Sequence, residues 1–479
     1  MTAPELPDGL VAFVKRDCPT CVTVGSALAH IQQVAGLTVY TQDDPSFPSG
    51  VEGVIHDGDL ANSWHHDIET VPTLLKVSNG AELDRIVGWS RTQWTEFTGV
   101  DDFDPDLPEW RPGCGSLSVD PNLVDELRAR FSGSSLKSRR VELAVLEDEI
   151  EAMYDRGWSD GLPLVPPTEA RVLAMLEGTW RSPDEVVATV PPDLVDVTVE
   201  KVAINAVMAG CKPEYLPVVL AAIEAACTDS FNMHGLLATT MPVGPVVVVS
   251  GPIAERIGMN SGRNVMGQGN RANSTIGRAL QLVVRNVGGG RPGEVDRAAH
   301  GQPGKLSFCF AEDEAGSPWE PLSTDFGHAP ETSTVTLFAG EGARCIVDQL
   351  SRDPESLARS LAQALIAMHH HKLVIGFDAM IIVGPEHVRV FEQAGWTKTQ
   401  TRDRIIELTK RDGAELVRGA GGIDEGLPEA FADATAIPKV GPDGLILVHA
   451  GGGAGMFSEL IGGWVNGATG SAPTSRPIH

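Results

Sequence analysis

The chain has 479 residues, with 64 acidic against 37 basic side chains and a formal net charge of −27. That surplus repels phosphate backbones and anionic lipid, which argues against a nucleic-acid partner. No run reaches the ~20 consecutive apolar residues of a membrane-spanning helix, and at about 150 residues per domain the length asks for two or three domains. Seven cysteines, an odd number, are too few and too scattered for a disulfide scaffold. The opening MTAPELPDGL has neither a basic start nor an apolar run, so a cytoplasmic protein with no membrane partner is expected.

The apolar run LVAFV (10–14) reads as a buried strand. A helix then begins at Cys18-Pro19-Thr20-Cys21, with apolar residues at Val22, Ala27, Leu28, Ile31 and Val34. Pro19 suits the first turn, where its missing N–H is not needed. LTVYTQ (37–42), TLLKV (73–77) and AELDRIVGW (81–89) read as strands, the last two joined by the turn SNG (78–80), and RTQWTEFTGV (91–100) as a helix.

A helix N-terminus presents free N–H groups and a partial positive charge, both of which favour a thiolate. Cys18 is therefore expected to be the nucleophile, and Cys21, one turn further in, the thiol that attacks the mixed disulfide and frees the reduced partner. The alternatives are a zinc knuckle and an inert pair of core thiols, but no second CxxC or nearby Cys/His set supplies two more zinc ligands. The CPTC motif, the VPT of Val71-Pro72-Thr73 and Gly88 ahead of the last helix resemble the thioredoxin fold over roughly residues 8 to 100. In that family the proline of such a turn is cis and faces the dithiol, so the resemblance implies a site role for Pro72. Asp17 stands where thioredoxins proper carry tryptophan, closer to glutaredoxin-like variants.

Residues 101–138, opening with DDFDPDLPEWRPGCGSLSVDPN, are rich in Asp, Pro and Gly and read as a linker after a dithiol domain over 1–100. They carry Cys114 between two glycines, either a shuttle thiol for the CxxC site or a surface cysteine on a loop. Residues 139–479 alternate helices with apolar strands, an α/β or α+β domain. Helical periodicity marks 139–158, and Thr168 is a plausible N-cap for the helix after it. Further helices are expected at 198–210, 214–227, 273–286, 354–368 and 399–411, and strands at 245–251, 306–312, 332–340, 378–384 and 444–451. GWSDGLPLVPPT (157–168), RIGMNSGRNVMGQGNRANSTIGRAL (256–280) and VGPEHVRVFEQAGWTK (383–398), among other stretches, resemble the UGSC family of selenoproteins and their cysteine homologues. That family is named for a selenocysteine-Gly-Ser-Cys motif, which implies thiol or selenol redox chemistry. The nearest string here, Cys114-Gly115-Ser116-Leu117, departs at its fourth position.

Within the large domain, MNSGRNVMGQGNRANSTIG (259–277) gathers Asn260, Arg263, Asn264, Asn270, Arg271, Asn273 and Ser274 around a helix start. Such a cluster of donors suits a carboxylate or phosphate, which Arg271 would hold bidentately; the alternative is a tightly packed polar loop. HAGGGAGMFSEL (449–460) follows a strand and reads as leading into a helix, without a G-x-G-x-x-G pattern. Cys211 sits where a helix ends before Lys212-Pro213, and exposure there beside the lysine would lower its pKa and suit a catalytic thiol. Cys309 lies mid-strand, ahead of a cluster of Glu312, Asp313 and Glu314; for both cysteines the commoner reading is a core position. Cys227 and Cys345 read as core fillers. His234, His387 and Glu312 are candidate acids or bases, and His369-His370-His371 reads as a cationic helix end rather than a metal tract.

Together these residues predict a thioredoxin-like domain fused to a larger mixed α/β domain. Its CxxC would supply electrons to Cys114, Cys211 or Cys309 for a reductive or thiol-transfer reaction on a small, anionic substrate. A thioredoxin- or glutaredoxin-type reductant is an expected partner, homo-oligomerisation is open, no cofactor beyond the cysteines is called for, and a metal is left undetermined. The alternative is a non-redox lyase, hydrolase or ligand-binding domain with the dithiol head as a repair or assembly partner.

Overall fold

Two hydrophobic cores organise the ends of the chain separately, and the computed structural model divides accordingly into Met1–Ser135 and Leu136–His479. It describes residues 4–131, 136–141, 143–144 and 147–479.

The first unit comprises, in order, Gly9–Val14 (β1), Pro19–Thr23 (α1), Gly25–Ala35 (α2), Thr38–Thr41 (β2), Ile55–His56 (β3), Ala61–His65 (α3), Thr70–Val71 (β4), Thr73–Ser78 (β5), Ala81–Val87 (β6), Trp89–Ser90 (β7), Arg91–Thr98 (α4), Trp110–Arg111 (β8), Cys114–Gly115 (β9) and Val124–Phe131 (α5). Five strands make one sheet in the order β3-β2-β1-β5-β6. β1, β2 and β3 run parallel, while β5 is antiparallel to both β1 and β6. β5 and β6 join through Asn79-Gly80, both at positive φ, as a two-residue hairpin loop matched to strand twist requires. Val11, Phe13, Leu28, Ile31, Val39 and Leu74 fill the core with Trp89 and Trp94, whose rings meet edge to face.

Residues 101–131 of the segment expected to be a linker are folded into this unit, while 132–135 lie outside the described residues and 136–138 belong to the second unit. Phe103 and Leu107 are buried in its core, β8 pairs with β7, β9 pairs with β4, and α5 contacts α3. Asp- and Pro-rich composition conceals these widely spaced apolar anchors, and the boundary falls after Ser135 rather than near residue 100.

The second unit is mixed α/β. Val186–Val190 (β10) and Val195–Thr198 (β11) form a hairpin. Gly244–Ser250 (β12), Cys309–Ala311 (β13), Thr334–Gly340 (β14), Arg344–Val347 (β15), Phe377–Val383 (β16), Leu445–His449 (β17), Phe457–Val465 (β18) and Thr474–Pro477 (β19) form the main sheet. Its order is β13-β12-β14-β18-β16-β17, with β15 on β18 and β19 on β14. Strand alternation sorts the core. Val247 and Val249 pack with helices Val199–Ala209, Leu216–Ala226 and Arg271–Asn286, whereas Val246 and Val248 join Met380, Ile382, Val448 and Ile461 in a second cluster. Ala379, Ile381 and Val383 face the helices Pro354–Ile366, Pro385–Gln393 and Lys398–Leu408. The glycine-rich stretch after β17 leads into β18, not into the expected helix, because Phe457–Val465 pairs along its length with β15 and β16. Thr168 caps Glu169–Leu176 through its side chain. Among the described residues no helix is long and apolar enough to cross a membrane.

Candidate active site

Strand β1 ends in a loop that delivers Cys18 to the start of α1, where its sulfur caps the helix by accepting the Cys21 N–H at 3.2 Å. Cys18 and Cys21 are 1 % and 0 % exposed. The Cys18 thiol lies 3.5 Å from the Val71 carbonyl, which precedes the cis Val71–Pro72 bond. So the structure brings Cys18, Cys21 and the Val71-Pro72 turn together. Hydrogen bonding from the Cys21 thiol is the largest influence on Cys18. With the Cys114 thiol and the N–H groups of Cys21 and Thr20 it outweighs burial and holds the Cys18 pKa at about 5. Because α1 is a single short turn, these local donors, rather than the dipole of a long helix, favour the thiolate. Cys21 moves the other way: burial, and then its bond to Cys18, push its thiol far above the usual range.

Cys114, read from sequence as lying on a linker, is built against the dithiol. β9 pairs antiparallel with β4, in the register Val71 to Cys114 and Thr70 to Gly115. The strap from Trp110 to Gly115 is fastened by Thr20 Oγ1 donating to the Pro112 carbonyl at 2.7 Å and by Arg111 donating to the Pro19 carbonyl and to Thr23 Oγ1. Glycine is required where the strap crosses. A Cβ on Gly113 would strike Thr70 Cγ2 and stand 3.0 Å from the Val71 oxygen, and one on Gly88 would stand 2.9 Å from the Gly113 nitrogen. Burial and the neighbouring Cys18 raise the Cys114 pKa. Thr20, Arg111, Gly113 and the Val71 carbonyl went unsingled in the sequence, since nothing local to 110–113 says that it returns to residues 19–23 and 70–71.

No family model, curated protein or solved structure matches this chain.

The thiols of the large unit are placed differently. Cys211 takes the core position rather than the exposed one: it follows the end of helix Val199–Ala209 beneath helix Arg271–Asn286 and donates to the Thr275 carbonyl at 3.4 Å. Burial pushes its pKa up to about 12 and that of Cys309 higher still. Cys345, read as a core filler, is exposed on β15 opposite Glu459, and Cys227 is half-buried. Of the seven cysteines, only Cys18 has a lowered pKa.

The 259–277 loop spends most of its donors on itself. Asn270 caps helix Arg271–Asn286 by accepting the Asn273 N–H. Buried Asn273 bridges the Asn260 and Val265 carbonyls, and Asn260 holds Gly262 and Arg263. The Asn264 side chain donates to the Gln268 carbonyl, and the Ser274 carbonyl accepts from Ser307. Arg271, expected to clasp an anion, donates to the Gly210 and Cys211 carbonyls. These belong to the end of helix Val199–Ala209, where carbonyls lack intrahelical partners. Arg263 and Asn264 remain on the wall of a cavity of about 400 Å3, together with Gly384, Gly451, Gly452 and Ser458.

His387 is fully buried in helix Pro385–Gln393, Nε2 facing the Asp348 carbonyl at 3.0 Å and Nδ1 facing Ser458 Oγ at 2.7 Å. Glu312 is buried as well. It accepts from Ser250 Oγ and from the Leu322 N–H, and burial raises its pKa to about 7. His234 is exposed on the short helix Met233–Ala238, away from these groups in sequence and element. The triple histidine lies beyond the end of helix Pro354–Ile366, and His369 there meets the Gly463 carbonyl and Glu341. Among the described residues no three His, Cys, Asp or Glu side chains gather as a metal site.

Proposed function

We propose that this chain is a thiol–disulfide oxidoreductase whose reactive atom is the Cys18 sulfur. The single observation behind this is the placement of Cys18, whose sulfur accepts the Cys21 N–H at the start of α1 and lies against the Val71-Pro72 turn, the one setting among the seven cysteines that lowers a thiol pKa. Cys18 attacks a disulfide, and a neighbouring thiol, Cys21 in the CxxC reading, releases the product. The thioredoxin-like assignment of the first unit is supported by its strand order, by the CxxC at the start of α1 and by the cis Val71–Pro72 bond against the thiol. In this reading a thioredoxin- or glutaredoxin-type reductant recharges the dithiol in the cytoplasm. Delivery of electrons to Cys211 or Cys309 is not favoured, since both are buried and held protonated. The test is reduction of a small disulfide by the full chain. Cys18→Ser is expected to abolish it and Cys345→Ser to leave it intact; equal activity in Cys18→Ser would overturn the proposal.

A second role, binding of a small anion by the large unit, is favoured by the exposed Arg263 on the wall of the 400 Å3 cavity. Thermal shift with a panel of small carboxylates and phosphates tests it. Stabilisation lost in Arg263→Ala supports it, and no response in the native protein sinks it.

A further inference from the structure

We propose that Cys114 is a second resolving thiol for Cys18, carried on a strap that lifts to admit a disulfide and returns to expel the first product. This rests on Cys18 being the nucleophile. With the strap down Cys18 is 1 % exposed, too covered for any disulfide to approach its sulfur. The segment Trp110–Gly115 crosses beside Cys18, fastened to β7 and β4 by the two-residue ladders β7–β8 and β4–β9 and to the start of α1 by the Thr20 and Arg111 side chains, and is the cover that must lift. So few bonds open locally at far less cost than the core. Closure is specific, because Gly113 and Gly88 permit an approach that any Cβ would block, and the pairing of Cys114 with Val71 fixes its side chain against Cys18.

The chemistry balances with a disulfide R–S–S–R′ as oxidant. The Cys18 thiolate attacks one sulfur, forming Cys18–S–S–R and releasing R′S−. Cys114, as thiolate, then attacks the Cys18 sulfur, forming Cys18–S–S–Cys114 and releasing RS−. Two thiols of the protein are oxidised and one disulfide is reduced; the protons of Cys18 and Cys114 end on the released thiols. The order of events is set by charge. Ionised Cys18 is one of the groups that keep Cys114 protonated, and that charge disappears when Cys18 enters the mixed disulfide, so Cys114 is eased toward ionisation when it is needed. Burial is the largest influence on both thiols, but Cys21 is fully buried and Cys114 only partly, so Cys21 keeps the larger penalty once the Cys18 charge is gone.

The experiment treats the full chain carrying Cys21→Ala with bis(2-hydroxyethyl) disulfide and maps the products by peptide mass spectrometry, with Cys21→Ser as the replacement should the alanine variant not fold. A Cys18–Cys114 bridge is expected, and adding Cys114→Ser should replace the bridge with a stable hydroxyethylthio adduct on Cys18. An adduct persisting on Cys18 beside a free Cys114 in Cys21→Ala would overturn the role of Cys114 while leaving Cys18 as nucleophile. A Cys18 neither modified nor bridged would overturn both.

Discussion

Val71 and Cys114 pair backbone to backbone, and the Val71 carbonyl stands 3.5 Å from the Cys18 sulfur. One residue thus joins the dithiol to the strap. A thiolate in this position is stabilised by donors and at the same time screened from solvent, so its reactivity depends on both its charge and the strap.

Gly113→Ala separates these two controls. The new methyl would collide with Thr70 Cγ2 and crowd the Val71 oxygen, a mismatch that costs about 1–3 kcal/mol in a packed setting. Relief comes from lifting the strap. The expected outcome is faster alkylation of Cys18 at neutral pH together with a lower melting temperature. An unchanged alkylation rate would mean that the strap does not limit access.

Alkylation of the native protein should separate the cysteines by environment. All three thiols are buried, but Cys211 and Cys309 are held protonated in the core of the large unit, whereas Cys18 is ionised beneath a strap fastened by few bonds. Cys18 should therefore react before them, and they should stay unlabelled until denaturant is added. Labelling of Cys211 or Cys309 as fast as Cys18 would contradict the account, and peptide mapping reads the result directly.

Arg271→Ala tests the structural role given to that residue. Its guanidinium serves the Gly210 and Cys211 carbonyls from an exposed position, and losing such hydrogen bonds costs about 0.5–1.5 kcal/mol each. A lowered melting temperature that no added anion rescues is expected. An unchanged melting temperature would contradict it.

The sequence made some of this layout legible and concealed the rest, for reasons tied to particular residues. Strand β1, the thiols at the start of α1 and the Asn79-Gly80 hairpin were readable because each depends on neighbours in sequence. The same is true of Thr168 as a cap and of the apolar helix Leu216–Ala226. The strap was not readable: its composition is that of a linker, and its partners Thr20, Thr70 and Val71 lie some forty to ninety residues away along the chain. For Cys211 the sequence leaves both a core and an exposed position open, since Lys212-Pro213 marks a helix end, and only the return of helix Arg271–Asn286 over it decides for the core. β18 was missed because the glycines before it look like the entrance to a helix, and only pairing with β15 and β16 commits Phe457–Val465 to a strand.

Glu312 gives the large unit a pH dependence of predictable sign. Burial raises its pKa from 4.5 to about 7. The folded state therefore holds this proton more tightly than the unfolded chain, and the resulting stability is complete below about 4.5 and lost as the pH rises through about 7. Glu312→Gln keeps a neutral group at all pH values. Relative to the variant, the native protein should lose up to about 3 kcal/mol of stability between mildly acid and mildly alkaline pH. Denaturation curves at the two pH values measure this, and a parallel pair of proteins would contradict it.

The most direct test of the central claim is the ionisation of Cys18 itself, followed in the full chain as the rate of iodoacetamide labelling at that residue against pH. The midpoint is predicted at about 5, well below the 9.0 of an ordinary thiol. A midpoint near 9.0 would show that Cys18 is no thiolate at neutral pH and would contradict the account.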